Sequence, residues 1–158
     1  IMVGFYLYNN PSIGLQCFAF GLIFGIGGLF KTVFNAAFLG AAFGYMGTVS
    51  QPQHFFQFVT AHGPFELTAI VLCAGAGMRL GFSLIDTKGY TRAASLRLAA
   101  YEAMPTVCAA IILFLLAALI EGFLSPSAAP YPIKVSVAII SAGILMFYFV
   151  ILGYPRGD

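Results

Sequence analysis

Five apolar stretches, residues 13–30, 33–49, 64–84, 105–124 and 133–152, occupy most of the chain and leave only short polar connections. Each approaches or reaches the roughly 17–25 residues that a helix needs to cross the hydrocarbon core of a bilayer. Of the whole chain 61% is hydrophobic and 8% charged, whereas a soluble domain carries about 25% charged residues. Lipid is therefore the expected solvent. In lipid every backbone N–H and C=O must find its partner inside the protein, and these runs lack the alternation of a barrel strand. The sequence thus predicts an all-α, polytopic transmembrane helical bundle of about five spans, a single domain over residues 1–158.

The 33–49 stretch is the shortest, and Lys31 alone stands between it and the first. A re-entrant hairpin is the alternative for that pair. The other breaks carry turn residues: Gln51, Pro52 and Gln53, then Asp86 to Gly89, then Ser125 and Pro126 through Pro132. Residues 1–8 are apolar but too short to span and lack the basic flank and cleavage site of a signal peptide. They read as an interfacial segment or the end of an upstream span. Residues 92–104, RAASLRLAAYEAM, place Leu96, Ala99, Ala100 and Ala103 on one side, the pattern of an interfacial helix on the inner leaflet, with Pro105 opening the fourth span.

Basic residues near span ends set orientation. If the connection between the third and fourth spans is cytoplasmic, Lys31, Lys88, Arg92, Arg97 and Arg156 lie inside against Lys134 outside. That arrangement puts Asn9 and Asn10, the 51–61 loop and the 125–132 loop on the outer side of a cytoplasmic membrane, with the C-terminus inside. The formal net charge is only +2 and the basic residues are scattered, so nucleic acid is not an expected partner. Cys17, Cys73 and Cys108 each lie in an apolar run without CxxC spacing and read as small buried hydrophobes.

GxxxG occurs at Gly21/Gly25, Gly40/Gly44 and Gly77/Gly81. Small residues one turn apart let helix backbones approach, which supplies the association that lipid does not drive. Three matches on three spans predict a compact bundle or a homodimer, with Leu80 facing lipid.

Ionisable groups within spans are costly, about 2.5–3.5 kcal/mol on insertion scales, so each needs a reason. Arg79 and Glu102 fall at the cytoplasmic ends of adjacent elements and are expected to pair. Asn35 is expected to donate between helices. His62 and Glu66 lie in HGPFE, where two readings compete. With Gly63 as N-cap and Pro64 at N1, Glu66 is an N3 carboxylate on the helix dipole and His62 precedes the helix. Alternatively His62, Glu66 and Glu121 form one polar cluster, because Glu66 and Glu121 come to similar depths on antiparallel spans at ~1.5 Å per residue. As a metal site this would be one histidine and two carboxylates, unlike HExxH, and neither a metal nor a cofactor is expected.

The runs FYLYNNPSIGLQCFAFGLIFGIGGLFKTVFNAAFLGAAFGYM, HGPFELTAIVLCAGAGMRLGFSLI and IEGFLSP resemble the stage II sporulation protein M family along most of the chain. The resemblance implies that Asn9, Asn10, Asn35, His62, Gly63, Glu66, Gly75, Gly77, Gly81 and Glu121 are motif positions. It also implies a membrane span upstream of residue 1 and a glycine where this chain has Ala36. In spore formers the family's founding member is a membrane component of the engulfment machinery, acting in a complex with a peptidoglycan-cleaving enzyme. The expected function is accordingly a non-enzymatic scaffold in the bilayer that recruits other membrane or envelope proteins. The alternatives are a small permease using the Glu/His cluster and an intramembrane metal-dependent hydrolase, for which the sequence offers neither a broken-helix repeat nor a complete catalytic set.

Overall fold

The computed structural model describes residues 2–153, with side chains from Tyr8 onward. Arg156 and the C-terminus, used above for orientation, lie outside the described residues, as do the side chains of residues 1–7. The regular elements of the described chain are all helices, in the order α1 (Met2–Gly21), α2 (Ile26–Met46), α3 (Pro52–Val59), α4 (Gly63–Phe82), α5 (Arg92–Leu119) and α6 (Tyr131–Met146). Helix α5 runs on into a π-helical turn at Ile120–Leu124, and α6 into another at Phe147–Leu152. Four helices are long and apolar enough to cross a membrane: Ile26–Met46, Gly63–Phe82, Arg92–Leu124 and Tyr131–Leu152. With α1, whose 20 residues also reach the ~30 Å of a hydrocarbon core, they form an all-α transmembrane bundle of about five spans.

Helix α4 is the centre of the bundle and packs most extensively against α5 and α1. Its contact with α1 depends on missing side chains. A Cβ on Gly77 would enter the backbone of Phe18, and one on Gly81 would enter the backbone at Gly21 and Gly25. The α4–α5 seam is made of small residues with a few large ones between them. Ala69 and Cys73 meet Ala110 and Phe114 in one cluster, and Ala76 and Leu80 meet Ala99 and Ala103 in the other. Leu80 is therefore buried, 7% exposed, and does not face lipid as expected. Its side chain fills the space that the alanines of α5 leave.

Several boundaries differ from those expected. The first break falls at residues 22–25 and not at Lys31, because Gly25 takes a left-handed conformation, φ 79°, and ends the helical path there. Lys31 stays within α2, its ammonium 5.7 Å from the ring centroids of both Phe20 and Phe34, which lets an apolar helix carry the charge. Helix α1 begins well before residue 13 and contains Pro11; next to that proline the Ser12 hydroxyl donates to the Tyr8 carbonyl one turn earlier.

Residues 92–104 are not a separate interfacial helix. They are the first half of α5, which passes through Pro105 unbroken because Ala99 and Ala103 are held against α4. At ~1.5 Å per residue the 33-residue run Arg92–Leu124 is ~50 Å long and outreaches a hydrocarbon core. The short helix between spans is α3, in the 51–61 segment read as a loop. It is fastened to α2 by edge-on contacts among Phe43, Phe55 and Phe56. Cys17 and Cys73 are buried, but Cys108 is exposed on the outside of α5.

Candidate functional site

The N-terminal end of α4, the C-terminal end of α5 and the first turn of α6 meet at one end of the bundle, where α1 contributes Asn9 and Asn10. The local sequence decides how α4 begins. His62 itself is the N-cap, and its carbonyl accepts from the N–H groups of Phe65 and Glu66 at 3.1 and 3.2 Å. The helix thus starts one residue earlier than Gly63 as N-cap would give. Glu66 moves past N3, and no side chain caps this end. The reading of Glu66 as an N3 cap is corrected accordingly. His62 and Glu66 instead stack at i, i+4, His62 Nε2 lying 3.6 Å from Glu66 Oε2.

Glu121 reaches the same point from α5. It lies in the π-helical turn, a local widening that re-aims one side chain and is frequent at functional sites. Its Oε1 is 3.8 Å from His62 Nε2, and its Oε2 accepts from Asn10 Nδ2 at 2.7 Å. Asn9 Nδ2 in turn donates to Asn10 Oδ1 at 3.2 Å. The other nitrogen of His62, Nδ1, is 3.1 Å from Ser125 Oγ, and Phe58 of α3 covers the imidazole edge-on. One ligand atom from each of His62, Glu66 and Glu121 lies within 4.8 Å of the others. These three residues could hold a metal ion together, although the sequence set a metal aside for want of a second histidine.

Asn10, His62, Glu121 and Ser125 are all buried, at 3%, 4%, 6% and 3% exposure, whereas the Glu66 side chain keeps 19%. Burial pulls the His62 imidazole down to about 4, so the ring is neutral and one of its nitrogens carries a lone pair.

Lys134, counted in the sequence as a loop charge, is part of this end of the bundle. It is 4% exposed, and its ammonium donates to the carbonyls of Ser125 and Ser127 at 2.7 and 3.1 Å. There it satisfies carbonyls just past the end of α5, where a cation is favoured. The signal for Lys134 was present as a charge inside an apolar run. For Ser125 and Phe58 nothing in the sequence marked a role.

The remaining polar residues fall where they were expected. Arg79 and Glu102 form an ion pair at the opposite end, beside a cavity of about 240 Å³ also lined by Asp86 and Lys88. Asn35 Nδ2 donates to Cys17 Sγ at 3.3 Å, between α2 and α1. The glycines divide into two sets: Gly21, Gly77 and Gly81 touch neighbouring backbone, whereas Gly40, Gly44 and Gly75 have open space where a Cβ would stand. Among the described residues, a Cβ on Gly40 or Gly44 would thus meet nothing within 4 Å, so this motif does not mediate the close backbone approach seen at Gly77 and Gly81.

No curated protein and no solved structure matches the chain. The family model for Stage II sporulation protein M matches residues 1–126, the stretch that supplies Asn10, His62, Glu66, Glu121 and Ser125, and the chain belongs to that family.

Proposed function

We propose that this protein is a non-enzymatic component of an envelope-remodelling assembly in the bacterial cytoplasmic membrane, where it binds other membrane or envelope proteins. The observation that carries this reading is the free face of α2. A Cβ added at Gly40 or Gly44 would meet nothing within 4 Å among the described residues, and Gly40 lies in a groove of about 450 Å³ lined by Thr32, Asn35, Ala36, Leu39 and Phe43 with Leu67, Ile70 and Val71 of α4. In a bilayer a small-residue face of this kind is what lets a second helix approach. A second copy of this chain is one such helix and another membrane protein is the other.

The distribution of charge supports an orientation. Lys31, Lys88, Arg92 and Arg97 belong to the end where α1 passes into α2 and α4 into α5, and the positive-inside rule makes that end cytoplasmic. The His62, Glu66 and Glu121 end then faces the outer compartment, toward the cell wall. A hydrolase would need a nucleophile beside a base, and a permease a path between helices.

The test is cross-linking in native membranes followed by mild detergent extraction and mass spectrometry. The wild-type protein is expected to be joined to defined envelope proteins, and Gly40→Leu/Gly44→Leu to lose them while keeping its thermal stability. Recovery of an uncross-linked protein alone, identical for wild type and double variant, contradicts the reading.

A further inference from the structure

The two carboxylates at the end of the bundle raise a question of charge. Glu66 and Glu121 approach one imidazole within the 4.8 Å cluster, in a setting where burial makes two ionised carboxylates side by side costly. The Lys134 ammonium donates to the carbonyls of Ser125 and Ser127 and forms no ion pair with either carboxylate among the described residues. His62 is 4% exposed and presents its Nε2 to the two carboxylates. It points between Glu66 Oε2 and Glu121 Oε1 at 3.6 and 3.8 Å, too far to bond to either.

That spacing is close to the separation of ligands around a common ion. Zinc bonds of about 2.0–2.2 Å at tetrahedral angles put neighbouring ligand atoms roughly 3.3–3.6 Å apart. The surrounding hydrogen bonds have the form that metal ligands need, because an imidazole and a carboxylate are each oriented by a partner on the far side. Ser125 Oγ holds His62 at Nδ1; with the ring proton on Nδ1, Nε2 would present its lone pair toward the carboxylates. Asn10 holds Glu121 at Oε2, which leaves Oε1 toward His62. Asn9 fixes Asn10 in turn, and the partial exposure of Glu66 provides the side from which an ion enters.

We propose that His62, Glu66 and Glu121 bind one divalent transition-metal cation, of the zinc or manganese class, which ties the start of α4 to the end of α5. One imidazole nitrogen with two carboxylate oxygens suits these ions. Calcium wants six to eight oxygens and magnesium keeps most of its water.

The experiment uses the full chain, purified in mild detergent, stripped with chelator, reloaded with Zn2+ or Mn2+ and desalted. Bound metal is measured by mass spectrometry and stability by thermal melting. Wild type is expected to retain metal equimolar with protein and to melt higher when loaded. Glu66→Gln and Glu121→Gln are expected to fall to the blank, Ser125→Ala to bind about 10–100-fold more weakly, and Glu102→Gln, at the other end, to match wild type. Cobalt loading of the wild type alone is expected to give visible bands without a near-ultraviolet thiolate band, which separates this site from Cys17, Cys73 and Cys108 even if a variant fails to fold. Wild-type protein that keeps neither metal and melts unchanged overturns the proposal. So does a thiolate band in the cobalt protein, or folded Glu66→Gln and Glu121→Gln proteins that hold as much metal as wild type.

Discussion

Asn10 and Glu121 are 111 positions apart in the chain and joined by a 2.7 Å hydrogen bond that is fully buried. This bond fastens α1 to the end of α5 and gives one Glu121 oxygen its donor. Asn10→Ala leaves that acceptor unpaired, so it is expected to destabilise the protein by about 1–3 kcal/mol, the cost of an unsatisfied buried polar group. Asn10→Asp should cost more, because it sets a third carboxyl beside Glu121 and Glu66. Unfolding in mixed detergent and denaturing micelles measures both; wild-type stability in Asn10→Asp contradicts the role given to the bond.

The two glycine sets predict opposite responses to the same change. Gly77→Leu and Gly81→Leu push side chains into the α1 backbone and are expected to cost at least the 1–3 kcal/mol typical of overpacking. Gly40→Leu and Gly44→Leu enter open space and should leave the melting temperature of the isolated protein unchanged. Leu80→Ala, which empties the space between α4 and α5, is expected to cost about 2–5 kcal/mol. Equal stability for all five variants would remove the distinction between packed and free glycines.

Orientation is tested by single cysteines. Cysteine at Gln53 or Ser127 is expected to react with an impermeant thiol reagent in whole cells above the background of the native cysteines, and cysteine at Lys88 to react only after lysis. The reverse pattern sinks the topology.

The sequence carried the bundle because hydropathy reports the solvent directly, and a run of apolar residues in lipid has little choice but to be a helix. It misplaced the first break because Lys31 looked like punctuation, whereas the chain turns where Gly25 adopts a positive φ, a property that composition does not record. It missed α3 because PQHFFQFV is short and becomes a helix through aromatic contacts with Phe43, which are tertiary. The grouping of His62, Glu66 and Glu121 was legible from depth arithmetic on two antiparallel helices. The cap assignment at Glu66 failed by one residue of register at His62, enough to convert a helix-start carboxylate into a partner of the imidazole. Ser125 was not legible, and Lys134 only as a charge inside an apolar run, since both act through bonds whose geometry depends on where α5 ends.

Glu66→Gln in cells tests most directly whether His62, Glu66 and Glu121 work as a unit. The glutamine keeps the size of the side chain and loses the carboxylate, so the protein is expected to insert, accumulate and melt near the metal-free wild type, yet fail to complement a deletion strain. Glu121→Gln should fail in the same way, and the double variant should be no worse than either single one, because residues acting together are not additive. A folded Glu66→Gln protein that restores the wild-type phenotype in full would contradict the account and reduce the cluster to a structural join between α4 and α5.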